Sequence, residues 1–354
     1  MNILFLAPYP VKEAASQRYR FEHYLPYLES QGIKYAYKPF LGKKTWKIFF
    51  KPGNTGAKIT GLAGGYLRRW LLMLTIARYD YVFIHREAAP MGPPLFEWII
   101  ARLYRKKIIY DFDDAIWVPF SSQYNKIPKW LRWFGKVATV CKWSYKVSAG
   151  NDYLADFARK YNKNVVVIPT VVDTESIHNR IQEHVTDRPM IGWTGTFSTL
   201  KYIEIVLPVL KDLQDKYDFA FVVIADDDPK LPLKNYKFIR WKKETQAEDL
   251  LQFHIGLMPL YDDEMSRGKC GFKAIQYMSL GIPAVVSPVG VNSRIVDNGI
   301  NGFICKEPEE WRSTLEKLLD DPVLRQQTGK AARQKIESVY SVHATLKPFI
   351  SLFS

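Results

Sequence analysis

The chain has 354 residues, of which 47% are hydrophobic, 24% charged and 14% aromatic; the length suits two domains of about 150–200 residues each, and the composition excludes a disordered chain. The formal net charge of +14 lies in residues 1–180, which hold 28 Lys/Arg against 13 Asp/Glu, whereas residues 181–354 hold 22 against 23. Charge so one-sided attracts an anionic surface or ligand, whether nucleic acid, lipid headgroups or a phosphorylated acceptor. The three cysteines, Cys141, Cys270 and Cys305, are widely spaced and form no CxxC pair, which argues for a reducing compartment and against structural zinc.

The opening MNILFLAPYP lacks a basic leader region and breaks at Pro8, so Asn2 to Leu6 reads as a first buried strand rather than a signal peptide. Phe21 to Ser30 follows as a helix ended by Gly32, then Lys34 to Phe40 as a strand, Tyr81 to His85 as a third apolar run, Phe96 to Tyr104 as a helix, and Lys107 to Tyr110 as a strand that stops at carboxylates. Val165 to Ile168 is a strand closed by Pro169. A second cycle starts with the strand Met190 to Trp193 and continues with strands Phe219 to Ala225, Tyr236 to Arg240, Ile255 to Pro259 and Ala284 to Ser287. Strands alternating with helices mean βαβ crossovers and parallel sheets. The expected fold is therefore α/β, with two Rossmann-like doubly wound domains that face across a cleft and bind ligands at the carboxyl ends of their strands. Polar residues from Asp173 to Arg188 mark the division: 1–172 and 173–335 as the two domains, and 336–354 as a last helix returning to the first. No stretch reaches the roughly 18 consecutive apolar residues of a membrane span, so a soluble or peripheral protein is expected.

The segment from Arg267 to Asn292, RGKCGFKAIQYMSLGIPAVVSPVGVN, places a glycine turn at Gly268 and Gly271 before a helix starting near Phe272. A helix N-terminus presents unpaired N–H groups and a partial positive charge that suit a diphosphate. Lys273 and Gln276 share one face of that helix. The same residues are also read as an ordinary loop-helix-strand unit with a solvated lysine. In GWTGTFSTLKY, from Gly192 to Tyr202, a strand runs into a small-residue turn with Gly195 and Thr196, and Lys201 falls on the helix after it.

These segments resemble the signature regions of family 4 retaining glycosyltransferases (glycosyl transferases group 1), which have the GT-B fold, and the similarity of order and spacing extends over most of the chain. Gly271, Met278, Gly281 and Pro283 match the family pattern, while Gly268 and Gln276 stand at its two glutamate positions; Lys201 matches a phosphate-binding lysine, and Thr196 replaces its arginine partner. The resemblance implies a sugar moved from a nucleotide-sugar donor, bound mainly by the C-terminal domain, to a saccharide or lipid-linked acceptor on the N-terminal side. It implies Gly195, Thr196, Lys201, Glu264, Gly271, Phe272, Lys273 and Gln276 as donor-binding residues, with Gln276 at the ribose and Glu264 at the donor sugar. On this resemblance lysines and a helix N-terminus are expected to stabilise the departing phosphates, with no metal or cofactor. Asp226 to Asp228 and Asp262 to Glu264 read as exposed loop carboxylates rather than a Mg²⁺ site.

In YDFDDAIW, from Tyr110 to Trp117, three carboxylates directly after a strand face water or a ligand, or else cap a helix. Relatives often have a His-Asp pair at this strand end, which implies Asp113 and Asp114 as catalytic residues with Lys201, and Asp111 as an acceptor contact. Arg18 and Arg20, in the first strand-to-helix loop, and His85 complete the expected acceptor side. The resemblance implies polysaccharide or glycolipid assembly in the cytoplasm, peripheral on the cytoplasmic face of the membrane. A non-catalytic relative binding sugar nucleotide or polymer is the alternative, and no nucleic-acid-binding signature is present. Two basic segments with aromatic residues suit an anionic membrane: KKTWKIFFK, from Lys43 to Lys51, and Lys126 to Lys146, with Trp130, Trp133 and Trp143.

Overall fold

The computed structural model describes residues 1–119, 129–186 and 188–354. The chain divides into two compact units, Met1–Thr170 with Leu346–Ser354, and Val171–Thr345.

In the first unit six parallel strands, β1 (Asn2–Ala7), β2 (Lys34–Pro39), β3 (Tyr81–His85), β4 (Lys107–Phe112), β5 (Lys146–Ala149) and β6 (Val165–Val167), stand in the order β2-β1-β3-β4-β5-β6. Every residue of β3, YVFIH, is buried, as expected of a parallel strand covered on both faces. Phe5, Phe21 and Phe83 pack with centroids 5.0–5.4 Å apart, and the returning C-terminal residues seal this core, with Phe349 stacked on Tyr24 at 4.0 Å. The crossovers leave β1 in one direction toward β2 and in the other toward β3, so the ligand-binding crevice of this topology lies at the carboxyl ends of β1 and β3.

The second unit holds β7 (Met190–Thr194), β8 (Ala220–Ala225), β9 (Tyr236–Arg240), β10 (Ile255–Met258), β11 (Ala284–Val286) and β12 (Gly302–Ile304), in the order β12-β11-β10-β7-β8-β9. The order reverses between β7 and β10, the arrangement of a dinucleotide-binding sheet. Its core packs Trp193, Phe221, Leu257 and Trp311 among aliphatic side chains.

The sequence reading lacked β5 and β12, which have four and three residues, and the 19-residue helix Thr55–Met73. That helix contains four glycines and no acidic residue, so it carries weak helix propensity, and Asn54 before it makes no side-chain cap hydrogen bond. Tertiary contacts hold it. Arg69, 1% exposed, donates to the carbonyls of Ala88 at 2.8 Å, Lys38 at 2.9 Å and Ala7 at 3.2 Å. These carbonyls terminate strands or follow them, so one guanidinium satisfies acceptors that the sheet leaves open. The expected helix from Phe21 to Ser30 starts as a 3₁₀ turn, Glu22–Tyr24, and becomes α-helical at Leu25–Ser30, where Pro26 sits in the first turn that tolerates it.

Candidate active site

At the end of β3, the His85 imidazole is fully buried. Parallel register sets it beside Asp111 on β4 and sets Asp111 beside Ser148 on β5. Nδ1 of His85 lies 2.7 Å from one Asp111 oxygen; the other oxygen receives Arg20 Nη2 at 2.5 Å and Ser148 Oγ at 2.7 Å. Arg20 also donates to the carbonyl of Ile168. Burial alone raises the Asp111 carboxyl, but the Arg20 guanidinium and the His85 hydrogen bond outweigh it and hold the group well below the usual carboxylate range. An ionised Asp111 only accepts, so His85 Nδ1 carries the proton. His85 Nε2 is then the ring nitrogen free of that proton, buried without a hydrogen-bond partner among the described residues and 4.0 Å from Asp113 Oδ1. The structure thus pairs His85 with Asp111 across β3 and β4. Arg20 and Asp111 form a buried ion pair.

Asp113 and Asp114 are gripped by Arg86, whose Nε and Nη2 lie 2.8 and 2.6 Å from them. The sequence reading assigned Arg86 no role. Its signal is positional: it follows β3 directly and has a left-handed φ of 60°, uncommon for a residue with a side chain and frequent at functional turns. Burial lowers the Arg86 guanidinium, and the two aspartates more than reverse this. Arg18 differs from Arg20. It is 7% exposed, and its Nε and Nη2 have no hydrogen-bond partner among the described residues. A buried guanidinium with open donors is the group in this loop suited to receive an anion.

In the second unit, β7 ends at Thr194 and the chain turns through Gly195 and Thr196 into a 3₁₀ helix, Phe197–Ile205. Thr196 caps that helix, its backbone N–H donating to Thr199 Oγ1 at 3.1 Å. A side chain at Gly195 would stand 2.3 Å from the Trp193 ring, so only glycine lets the turn close over that ring. The exposed Lys201 has its Nζ 5.1 Å from the Tyr202 ring centroid, and Lys269 Nζ lies 5.9 Å from the same ring. Lys273, on the helix Phe272–Ser279, has its Nζ 5.5 Å from the Trp193 ring centroid. Lys201 and Lys269 thus share the Tyr202 ring, and Lys273 lies over Trp193, the penultimate residue of β7. Lys269 escaped the sequence reading because it lies in the turn and matches no motif position.

Gly271 starts the helix Phe272–Ser279 with φ 66° and, being glycine, supplies no side-chain cap. Gln276 is buried within this helix, at 3% exposure. Glu264 is exposed in the short helix Glu264–Arg267, where Asp263 serves as N-cap to Ser266 and Asp262 pairs with Arg267 at 2.6 Å. Asp227 pairs with Arg240, and Asp228 accepts from Tyr236 Oη at 2.7 Å. Among the described residues no group of three or more His, Cys, Asp or Glu side chains is arranged to hold a metal ion.

Residues 174–335 match the family model "Glycosyl transferases group 1". Among curated proteins, glucosyltransferase 3 of Streptococcus parasanguinis is 23% identical over 230 residues, 62% of each chain. The alpha-D-kanosaminyltransferase of Streptomyces kanamyceticus is 23% identical over 183 residues, covering 49% of this chain and 47% of that protein. The chain thus matches less than two thirds of the length of either relative. Over the whole chain the fold is that of sucrose-phosphate synthase from Thermosynechococcus elongatus, with a TM-score of 0.73 at 13% identity and coverage of 100% and 98%. It is also that of Anabaena HepE, crystallised with UDP and glucose, with a TM-score of 0.70 at 15% identity and coverage of 99% and 98%. This is the GT-B architecture.

Proposed function

We propose that the protein is a retaining, metal-independent glycosyltransferase that moves a sugar from a nucleotide-sugar donor to a saccharide or lipid-linked acceptor. The observation that carries the reading is Lys273 over Trp193 at the carboxyl end of β7, in the first turn of the helix Phe272–Ser279 that Gly271 starts, with Lys201 and Lys269 about Tyr202 on the helix that follows β7. The match of residues 174–335 to a glycosyltransferase family model supports it. When the bond between the anomeric carbon and the diphosphate breaks, its electron pair leaves with the phosphate oxygen; fixed cations and helix N–H groups favour that charge. The lysines supply positive charge that a divalent ion supplies elsewhere. In the first unit we assign His85 Nε2 to a substrate hydroxyl, with Asp111 fixing the tautomer, and Arg18 to an anionic group of the acceptor. We assign the setting to polysaccharide or glycolipid assembly at the cytoplasmic face of an anionic membrane, because the positive charge is concentrated in residues 1–180. Among the described residues no helix is long and apolar enough to cross a membrane.

The test is a thermal-shift screen of UDP-, GDP- and ADP-sugars, followed by transfer assays with the best donor. A donor at 100 times its Kd stabilises the unit that binds it by about 2.7 kcal/mol. Expected are turnover that persists in EDTA and a product with the donor's anomeric configuration. Inversion, or activity lost in EDTA and restored by Mg²⁺ or Mn²⁺, contradicts the mechanism; donor binding without transfer to any acceptor favours the non-catalytic alternative.

A further inference from the structure

Seven of the exposed large apolar side chains fall between Leu67 and Leu103. On the helix Thr55–Met73 and the residue after it, Leu67, Trp70, Leu71 and Leu74 recur at i, i+3, i+4 and i+7, one face, with Trp70 49% and Leu74 77% exposed. Arg69 and Leu72 point the other way and are buried. The helix Leu95–Trp98 and its π-helical continuation Ile99–Leu103 lie alongside. The Trp70 ring sits 5.2 Å from Phe96, Tyr66 Oη donates to the Met91 carbonyl at 2.7 Å, and Lys106 Nζ to the Ala77 carbonyl at 2.9 Å. Trp98 and Leu103, 45% and 67% exposed, thereby extend the same patch.

Its charge has one sign. No Asp or Glu occurs from Lys51 to Tyr79, Glu97 is buried and bonded to the Ala88 N–H, and Arg78, Arg102 and Arg105 are exposed at the rim. Asp80, the exposed carboxylate nearest in sequence, is bonded to the Asn2 N–H at 2.7 Å. Clustered apolar side chains with Trp among them and a basic rim suit the boundary between acyl chains and anionic headgroups.

The two segments favoured by sequence suit this task less. In Lys43–Phe49 the Trp46 ring packs on Tyr9 at 4.6 Å. Lys136 is buried and paired with Glu87 at 2.7 Å, so it is no surface cation. Residues 126–128 and the side chains of Lys129 and Trp130 lie outside the described ones.

We infer that the face made by Leu67, Trp70, Leu71, Leu74, Trp98 and Leu103 docks on an anionic lipid surface, an assignment that rests on the membrane reading above. The test is flotation of the full chain with phosphatidylglycerol or phosphatidylcholine vesicles, using wild type, the triple variant Trp70→Ser/Leu71→Ser/Leu74→Ser and the pair Arg102→Gln/Arg105→Gln. Wild type is expected to float with phosphatidylglycerol and to detach with salt. The triple variant should lose at least tenfold in partitioning at unchanged Tm, and the arginine pair should lose binding to a smaller extent. Wild-type flotation matched by both variants overturns this face and leaves the membrane reading standing. Failure of the wild type to prefer phosphatidylglycerol overturns the membrane reading itself. Dimers in lipid-free solution that the triple variant turns to monomers, with no vesicle binding, overturn both in favour of a contact between copies.

Discussion

At the scale of single residues, charges locked into a buried network are distinct from charges that lie over aromatic rings. Arg20, Asp111, Ser148 and His85 form a buried network, whereas Lys201, Lys269 and Lys273 lie over aromatic rings, Lys273 in a first helical turn. Charge-assisted hydrogen bonds contribute about 1.5–3 kcal/mol, so Lys201→Ala and Lys273→Ala should each weaken nucleotide-sugar binding roughly tenfold or more. Calorimetric titration with the preferred donor checks this; wild-type affinity in both variants removes the phosphate assignment. Asp111→Asn removes one partner of a buried ion pair and leaves Arg20 charged in a dry site, a change that costs about 3–5 kcal/mol. Chemical denaturation should report that loss, and a change within about 0.5 kcal/mol of wild type would mean that the network contributes little to stability.

At the scale of elements, the glycine turn before Phe272–Ser279 answers to two constraints at once. Gly271 has φ 66°, and a Cβ there would stand 2.0 Å from Ile295 Cδ1; Gly299 has φ 78° with nothing within 4 Å. A left-handed alanine costs about 1–2 kcal/mol from backbone strain alone, and overpacking adds about 1–3 kcal/mol. Gly271→Ala should therefore destabilise more than Gly299→Ala and weaken donor binding, while Gly299→Ala leaves binding unchanged. Equal midpoints for the two in urea would show that the Ile295 contact is relieved without cost.

At the scale of the molecule, the second unit contains a pH-sensitive pair. His184 and His254 lie with ring centroids 6.1 Å apart. His184 Nε2 donates to the Gly281 carbonyl at 2.8 Å, and His254 Nδ1 accepts the Met190 N–H at 3.1 Å. Burial, then His184 and Arg325, lowers the His254 imidazole to about 4; burial first, then Arg325, lowers that of His184 against the raising effect of Gly281. A histidine with a depressed folded pKa binds fewer protons than in the unfolded chain, so its contribution is complete above about 6.5 and is lost as pH falls toward 4. The second unit should lose roughly 1–2 kcal/mol across that window. His254→Asn keeps an acceptor for Met190 and cannot be protonated there, so it should flatten the slope; an unchanged slope in scanning calorimetry would assign the effect to other groups.

The sequence by itself determined the two-domain α/β class and most strand positions, because local apolar runs, turn glycines and helix starts are read from neighbouring residues. It also marked Lys201, Lys273, Gly271, His85 and the carboxylates near 111–114. Only the tertiary structure decided which of those charges face one another. Asp111 and His85 are 26 positions apart yet meet through parallel register at 2.7 Å, and Arg86 takes Asp113 and Asp114 instead of leaving them open. The helix Thr55–Met73, weak in propensity and without caps, depends on the sheet that Arg69 binds. Its exposed apolar face was hidden for a related reason: a hydrophobic stripe in a sequence carries no mark of whether a core or a solvent lies beside it.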